Sequence, residues 1–289
     1  MISVNLMLQL IELFNEKKWE KYEYLLNKYI EMLEKLNEKE QKVILELSKE
    51  FIWIKYTEYL EKIKEILSKI YLEEKFKEFR ELYIIPLLNL EEVLYDENLS
   101  KTKSSNFMCY LFKSHELQEH IFLKGKKIII VEKPYCLIKE NSEIKERMDK
   151  KFPEKIATSS KKAVILVDDF IGSGKTALSA ISYLEEKNIP KEKIIILSLA
   201  ILSEGYRKIS ELGIKVYFNE YIRKSIAENS LNEFEKEDKK VILKEIMKKL
   251  KIKLREGQEF GYENSECLIS LIRTPNNTIP IFQKFIFPR

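Results

Sequence analysis

Apolar residues recur at helical spacing through the first eighty positions. One series runs Trp19, Tyr22, Leu26, Tyr29, Ile30, Leu33 and Leu36, a second Val43, Ile44, Leu47, Phe51 and Ile54, and a third Leu60, Ile63, Leu67 and Ile70. No glycine precedes Gly125 and no proline precedes Pro86, so nothing breaks the helical pattern and residues 1–80 are predicted to be helical. Asn37 followed by Glu40 has the spacing of a capping box and predicts the start of a long helix. Trp19, Trp53 and the tyrosines of this region are better explained by helix packing than by base stacking.

Beyond residue 80 the period changes. Short runs rich in β-branched residues at 82–88, 127–131, 163–167, 194–202 and 215–218 read as strands, alternating with helical segments at 107–112, 177–187 and 206–212. Such alternation predicts an α/β fold, with a parallel sheet flanked by helices and right-handed crossovers. It is preceded by an all-α region. The predicted organisation is a helical interaction region at 1–80 and an α/β domain at 81–289. Within the latter, 219–255 returns to a helical pattern as an insertion or cap. Residues 267–272 and 279–282 read as two further strands around a turn at 275–278.

The run at 163–167 is apolar throughout, as expected of a strand buried on both faces. Asp168 and Asp169 stand at its carboxyl end, and Gly172, Ser173, Gly174, Lys175 and Thr176 form a turn before the next helix. Ligands of open parallel sheets bind at the carboxyl ends of strands. Glycines let backbone close on an anion, and helix-start N–H groups attract phosphate. Ser173 and Thr176 add hydroxyl donors. A phosphate nest beside two acceptors for a pair of hydroxyls suits a 5-phosphorylated ribose. A Walker A loop is a competing reading, but its first glycine would fall at Asp169 for one candidate and at His120 for the other. An ordinary polar turn with a capped helix would not need two adjacent acids.

The stretch Val167-Asp-Asp-Phe-Ile-Gly-Ser-Gly-Lys-Thr176 resembles the phosphoribosyl diphosphate (PRPP) motif of type I phosphoribosyltransferases. Phe170 is bulkier than the usual pattern, and Gly172 replaces a small hydroxylated or apolar residue. Together with Thr274-Pro-Asn-Asn-Thr-Ile-Pro280, the stretch is similar to a narrower group, the phosphoribosyltransferase-like proteins of bacterial conflict and antiphage systems, retron-associated members among them. The resemblance implies that Asp168 and Asp169 are the catalytic acids holding the ribose 2- and 3-hydroxyls. It implies that Gly172, Ser173, Gly174, Lys175 and Thr176 hold the 5-phosphate, with Mg²⁺ bound through PRPP and not by direct protein ligands.

The resembled fold also places diphosphate on the loop after the first strand, where Lys103, Ser104 and Ser105 stand. An ordinary serine cap beside a surface lysine explains them equally well. Asn276 and Asn277 are either acceptor-pocket residues or turn formers. The polar stretch 140–162 occupies the place of a mobile hood, and Glu132 and Tyr135 are candidates to face the site.

Composition narrows the function without choosing it. With 289 residues, 45 % of them hydrophobic, the chain can build one large core or two modest ones. The net charge of +4, from 51 basic and 47 acidic residues, allows nucleic-acid binding but does not indicate it. Cys109, Cys136 and Cys267 are widely spaced and read as reduced thiols. His115 and His120 are the only histidines, which disfavours a zinc site or a histidine-based triad. The longest apolar run, near 194–202, is far shorter than the roughly 20 residues of a membrane span. The start Met1-Ile-Ser-Val-Asn-Leu lacks the basic region of a secretory signal, so a cytoplasmic location is expected.

Three functions remain open from sequence. The first is a Mg²⁺- and PRPP-dependent phosphoribosyltransferase with an unknown acceptor, acting in defence. The second is a catalytically weak PRPP or nucleotide sensor that signals to a partner. The third is an effector acting on a macromolecule or a nucleotide pool. The N-terminal helices are the expected surface for a homodimer or a partner protein.

Overall fold

The structure is a computed structural model that describes residues 2–88, 104–131, 152–231, 233–254 and 256–287. In chain order the elements are α1 (Val4–Glu16), α2 (Glu23–Leu33), α3 (Glu38–Glu50), β1 (Ile52–Trp53), α4 (Tyr59–Tyr71), α5 (Glu74–Lys77) and β2 (Glu81–Pro86). There follow α6 (Ser104–Leu111), α7 (His115–Gln118), β3 (Lys127–Ile130), α8 (Phe152–Thr158), β4 (Lys162–Ile171), α9 (Lys175–Glu186), β5 (Ile194–Leu202) and α10 (Ser203–Ser210). The chain continues through β6 (Val216–Ile222), α11 (Glu233–Lys249), β7 (Ile269–Ser270) and a π-helical turn (Phe282–Ile286). Among the described residues no helix is long and apolar enough to cross a membrane.

The chain forms two compact units, Met1–Tyr56 with Ile222–Arg289, and Thr57–Tyr221. The boundary expected near residue 80 from the first breakers thus has no counterpart there. α4 and α5 belong with the sheet, because Tyr59, Ile63, Ile66, Leu67 and Ile70 form a fully buried stripe on α4 and α4 packs on β5.

In the first unit, α1, α2 and α3 close a core with α11 and the C-terminal turn. Aromatic packing dominates it. Phe51 stacks on Phe282 at 5.0 Å and on Phe287 at 4.8 Å, while Trp19 meets Phe14, Phe51 and Phe287 edge-on. Rings this buried cannot stack on nucleic-acid bases. The segment read as an insertion or cap supplies α11, whose Ile242, Leu243, Ile246 and Met247 are buried in this core.

The capping box forms as its spacing predicted. Asn37 accepts from the Glu40 N–H, and Glu40 accepts in return from the Asn37 N–H at 2.8 Å. Glu40 is almost wholly buried and also receives Lys249 Nζ on both carboxylate oxygens, at 2.6 and 2.7 Å. A buried carboxylate persists only when paired in this way. Asn37→Ala is expected to cost about 1 kcal/mol, read as a lowered urea midpoint with an unchanged slope.

Two sequence expectations fail in this unit. Residues 267–272 yield only the short β7, which pairs in parallel with β1 (Ile52↔Ile269, Trp53↔Ser270). Residues 279–282 are not a strand. Pro280 cannot donate to a ladder, and the chain bends into the π-helical turn that buries Phe282 and Ile286 against the aromatic core.

The second unit holds a five-stranded sheet in the order β3-β2-β4-β5-β6. The β3–β2, β2–β4 and β4–β5 pairings are parallel, with Ile84 opposite Ile130 and Ile165, and Val167 opposite Leu197. β4 is therefore the central strand, and β5 is buried along its whole length. The alternation of β4 splits its side chains between two faces. Val164 and Leu166 pack with Ala177, Ile181 and Leu184 of α9 and with Ile156 of α8 and Ile209 of α10. The opposite face meets α6, which packs on β4 and β2. The stretch expected as helix from 219 begins instead with the end of β6, which carries the strand read at 215–218 on to Ile222.

Candidate functional site

β4 runs past the apolar stretch and carries Asp168 and Asp169 within its extended backbone. The two acids meet at the end of the strand, where the Asp168 side chain hydrogen-bonds that of Asp169. Asp168 is the more exposed member of the pair. It is partly exposed, and its Oδ1 accepts the Asp169 N–H at 2.9 Å.

Asp169 is 4 % exposed. The Tyr59 hydroxyl, itself fully buried on the first turn of α4, donates to Asp169 Oδ2 at 3.0 Å. Ser104, at the start of α6, adds a second side-chain hydrogen bond. Burial pushes the Asp169 carboxyl above the ordinary aspartate range, and the bonds from Ser104, Tyr59 and Asp168 oppose that shift only in part.

The turn after β4 is shaped by close backbone contact. Gly174 adopts φ +80, a left-handed conformation that favours glycine, and forms the N-cap of α9. It brings no capping side chain, so no cap side chain competes for the first N–H groups of this helix. Gly205, in the first turn of α10, lies directly against the turn. A Cβ on Gly174 would stand 3.1 Å from Gly205 Cα, and a Cβ on Gly205 would overlap the Gly172 carbonyl oxygen. Lys208, one turn further along α10, donates to the Ser173 carbonyl at 3.2 Å and to Glu204 Oε1 at 2.6 Å. Ser173 and Thr176 are partly exposed and Lys175 is exposed, so the turn presents backbone N–H groups, two hydroxyls and a cation at the end of the central strand. That set is suited to an anion.

The other residues singled out from sequence divide. Ser104 reaches Asp169, whereas Ser105 is 1 % exposed and its hydroxyl has no hydrogen-bond partner among the described residues. Lys103, Glu132 and Tyr135 lie outside the described residues, as does most of the stretch read as a hood.

Asn276 and Asn277 belong to the other unit, and there their backbone carries the load. The Asn276 carbonyl accepts the Tyr262 N–H, and the Asn277 carbonyl accepts from the Cys267 N–H and the Ser265 hydroxyl. Thr274 and Thr278 donate to the carbonyls of Phe287 and Ile269, and Gln283 Nε2 donates to that of Pro275. The motif ties its unit together, and the buried Asn277 side-chain nitrogen has no hydrogen-bond partner among the described residues.

Two residues at the site escaped sequence reasoning. Gly205 carried a signal, since a glycine in a helical turn is costly unless close approach requires it. Tyr59 carried none, because it meets Asp169 only through the tertiary fold.

Among the described residues no group of three His, Cys, Asp or Glu side chains converges on one point. The donors at the strand end, carboxylate and hydroxyl oxygens, are of the hard type that Mg²⁺ accepts. They fit an ion that takes most of its ligands from a bound phosphate ester.

A central parallel strand ending in two acids, followed by a glycine turn at a helix start, defines a phosphoribosyltransferase-type α/β protein. The PRTase-CE family model matches residues 26–284, and the chain belongs to that family, which is of phosphoribosyltransferase type. The match takes in parts of both compact units. No curated protein matches the chain.

Proposed function

We propose that this protein binds PRPP with Mg²⁺ and transfers its phosphoribosyl group to an acceptor, as an effector of bacterial defence. The observation that carries the reading is the placement of Asp168, partly exposed at the tip of β4, beside a turn moulded by Gly174 and Gly205. In this reading the N–H groups of the turn, with Ser173, Lys175 and Thr176, hold the 5-phosphate. The acidic pair forms the grip on the 2- and 3-hydroxyls.

In the reaction the bond from C1 to the diphosphate oxygen breaks and its electron pair leaves with diphosphate. The acceptor's nucleophilic atom forms the new bond to C1 and releases a proton. A fixed ribose keeps C1 in line between leaving group and nucleophile, which lowers the entropic part of the barrier. Carboxylate beside the ring also stabilises positive charge as it develops there. Mg²⁺, bound through the substrate's oxygens, would neutralise the departing diphosphate. The antiphage resemblance of the two motifs supports the defence role.

Incubation of the protein with ribose-labelled PRPP, Mg²⁺ and a cell extract tests the activity. Transfer of label to one class of molecule, with release of diphosphate, is the expected result. Label that remains in PRPP, or appears only in free ribose 5-phosphate, would count against a transferase.

A further inference from the structure

The two acids meet such different surroundings that one role for both is hard to sustain. Asp168 is partly exposed at the end of the strand that leads into the phosphate turn. Asp169 is 4 % exposed, and its carboxyl is already engaged by Tyr59 from α4, by Ser104 from α6 and by the Asp168 side chain. Asp169 meets Asp168 through its side chain and through its backbone N–H, 2.9 Å from Asp168 Oδ1.

We propose that the acidic pair divides its work: Asp168 alone grips the ribose diol, and Asp169, clamped by Tyr59 and Ser104, is a positioning residue that orients Asp168. The proposal rests on the PRPP reading and deepens it. One carboxylate has enough lone pairs to take both hydroxyls of a cis-diol while still accepting a backbone N–H. Fixing its rotamer beforehand removes an entropic cost from binding. The clamp does this from behind. Tyr59 and Ser104 hold the Asp169 side chain, and that side chain with the peptide N–H between the acids then holds Asp168. The burial that raises the Asp169 carboxyl points the same way, since a group held for its shape and acceptor capacity has little need of full charge. Tyr59 opens α4, so the clamp also ties this helix to the end of the central strand.

The test compares PRPP and inorganic phosphate affinities, by calorimetry with Mg²⁺, in the full-length chain. Phosphate alone reports the turn; PRPP reports turn and diol together. Asp168→Asn is expected to weaken PRPP on the order of 100-fold and to leave phosphate affinity in place. Asp169→Asn keeps an acceptor for Tyr59 and Ser104 and retains the backbone N–H. Its expected loss is therefore much smaller, roughly 3- to 10-fold. Asp169→Ala and Tyr59→Phe break the clamp and are expected to weaken PRPP by about 10-fold, again sparing phosphate. A purely structural defect would weaken both ligands together.

The division of work is overturned if Asp169→Asn loses as much PRPP affinity as Asp168→Asn while phosphate binding and melting temperature hold. It is equally overturned if Tyr59→Phe changes neither PRPP affinity nor its ratio to phosphate affinity. A wild-type chain that binds phosphate and ignores PRPP would remove the PRPP reading itself, and the proposal with it. That outcome is distinct from any ranking of the variants.

Discussion

Asparagine at both 168 and 169 is expected to abolish PRPP binding in a chain that still folds. The loss follows from the loss of charge. A hydrogen bond to a charged acceptor contributes about 1.5–3 kcal/mol, and two ribose hydroxyls lose theirs together, so affinity falls by roughly two to four orders of magnitude. The amide also turns an N–H₂ donor toward hydroxyls that themselves need an acceptor. Folding survives for a different reason. Asp169 is buried with its carboxyl pushed upward by that burial, and an amide of the same shape still accepts from Tyr59 and Ser104. Asp168 is partly exposed and has no core to disturb. Near-ultraviolet circular dichroism and melting temperature should match the wild type, while calorimetry with PRPP and Mg²⁺ shows no saturation. Binding that persists unchanged in the double variant would rule out the acidic pair as the ribose grip.

The second large effect is expected from Gly205→Ala, a substitution that adds one methyl group. Its Cβ would fall on the Gly172 carbonyl oxygen and within 3.2 Å of Gly174 N and Ile171 Cγ2. The colliding oxygen is backbone and cannot rotate aside, so either α10 or the turn must move. Overpacking of this kind costs about 1–3 kcal/mol. The functional loss should be greater in proportion, because the displaced N–H groups are those proposed to meet the 5-phosphate. The expected result is a lowered melting temperature together with a loss of phosphate affinity that remains when the assay is run well below the new melting temperature. Unaltered phosphate binding in a stable Gly205→Ala protein would show that the turn does not depend on α10 for its shape.

How much of this was legible in the chain depends on the range of the contacts involved. The strands at 81–86, 127–130, 162–171 and 194–202 announced themselves through dense β-branched runs, and the capping box at Asn37 through two residues three apart. The phosphate turn was legible for the same reason, since its glycines and hydroxyls are consecutive. What the chain concealed is long-range. Glu40 is neutralised by Lys249, and Asp169 is held by Tyr59; neither pair leaves a local trace. The two units interleave early and late segments, so a boundary sought in local breakers could not be found. The apolar run at 279–282 has the look of a strand. Its geometry is instead set by hydroxyls bonding to distant carbonyls and by Phe51 stacking on Phe282 and Phe287. Asn276 and Asn277 were singled out for their side chains, yet it is their carbonyls that organise the turn.

The central claim is that the turn after β4 and the acid beside it form a seat for PRPP. Titrating the wild-type chain with PRPP in the presence of Mg²⁺ in a calorimeter tests it most directly. The account predicts saturable heat with one PRPP per chain, competed by inorganic phosphate. A titration that stays flat, with the protein shown to be folded, would contradict it.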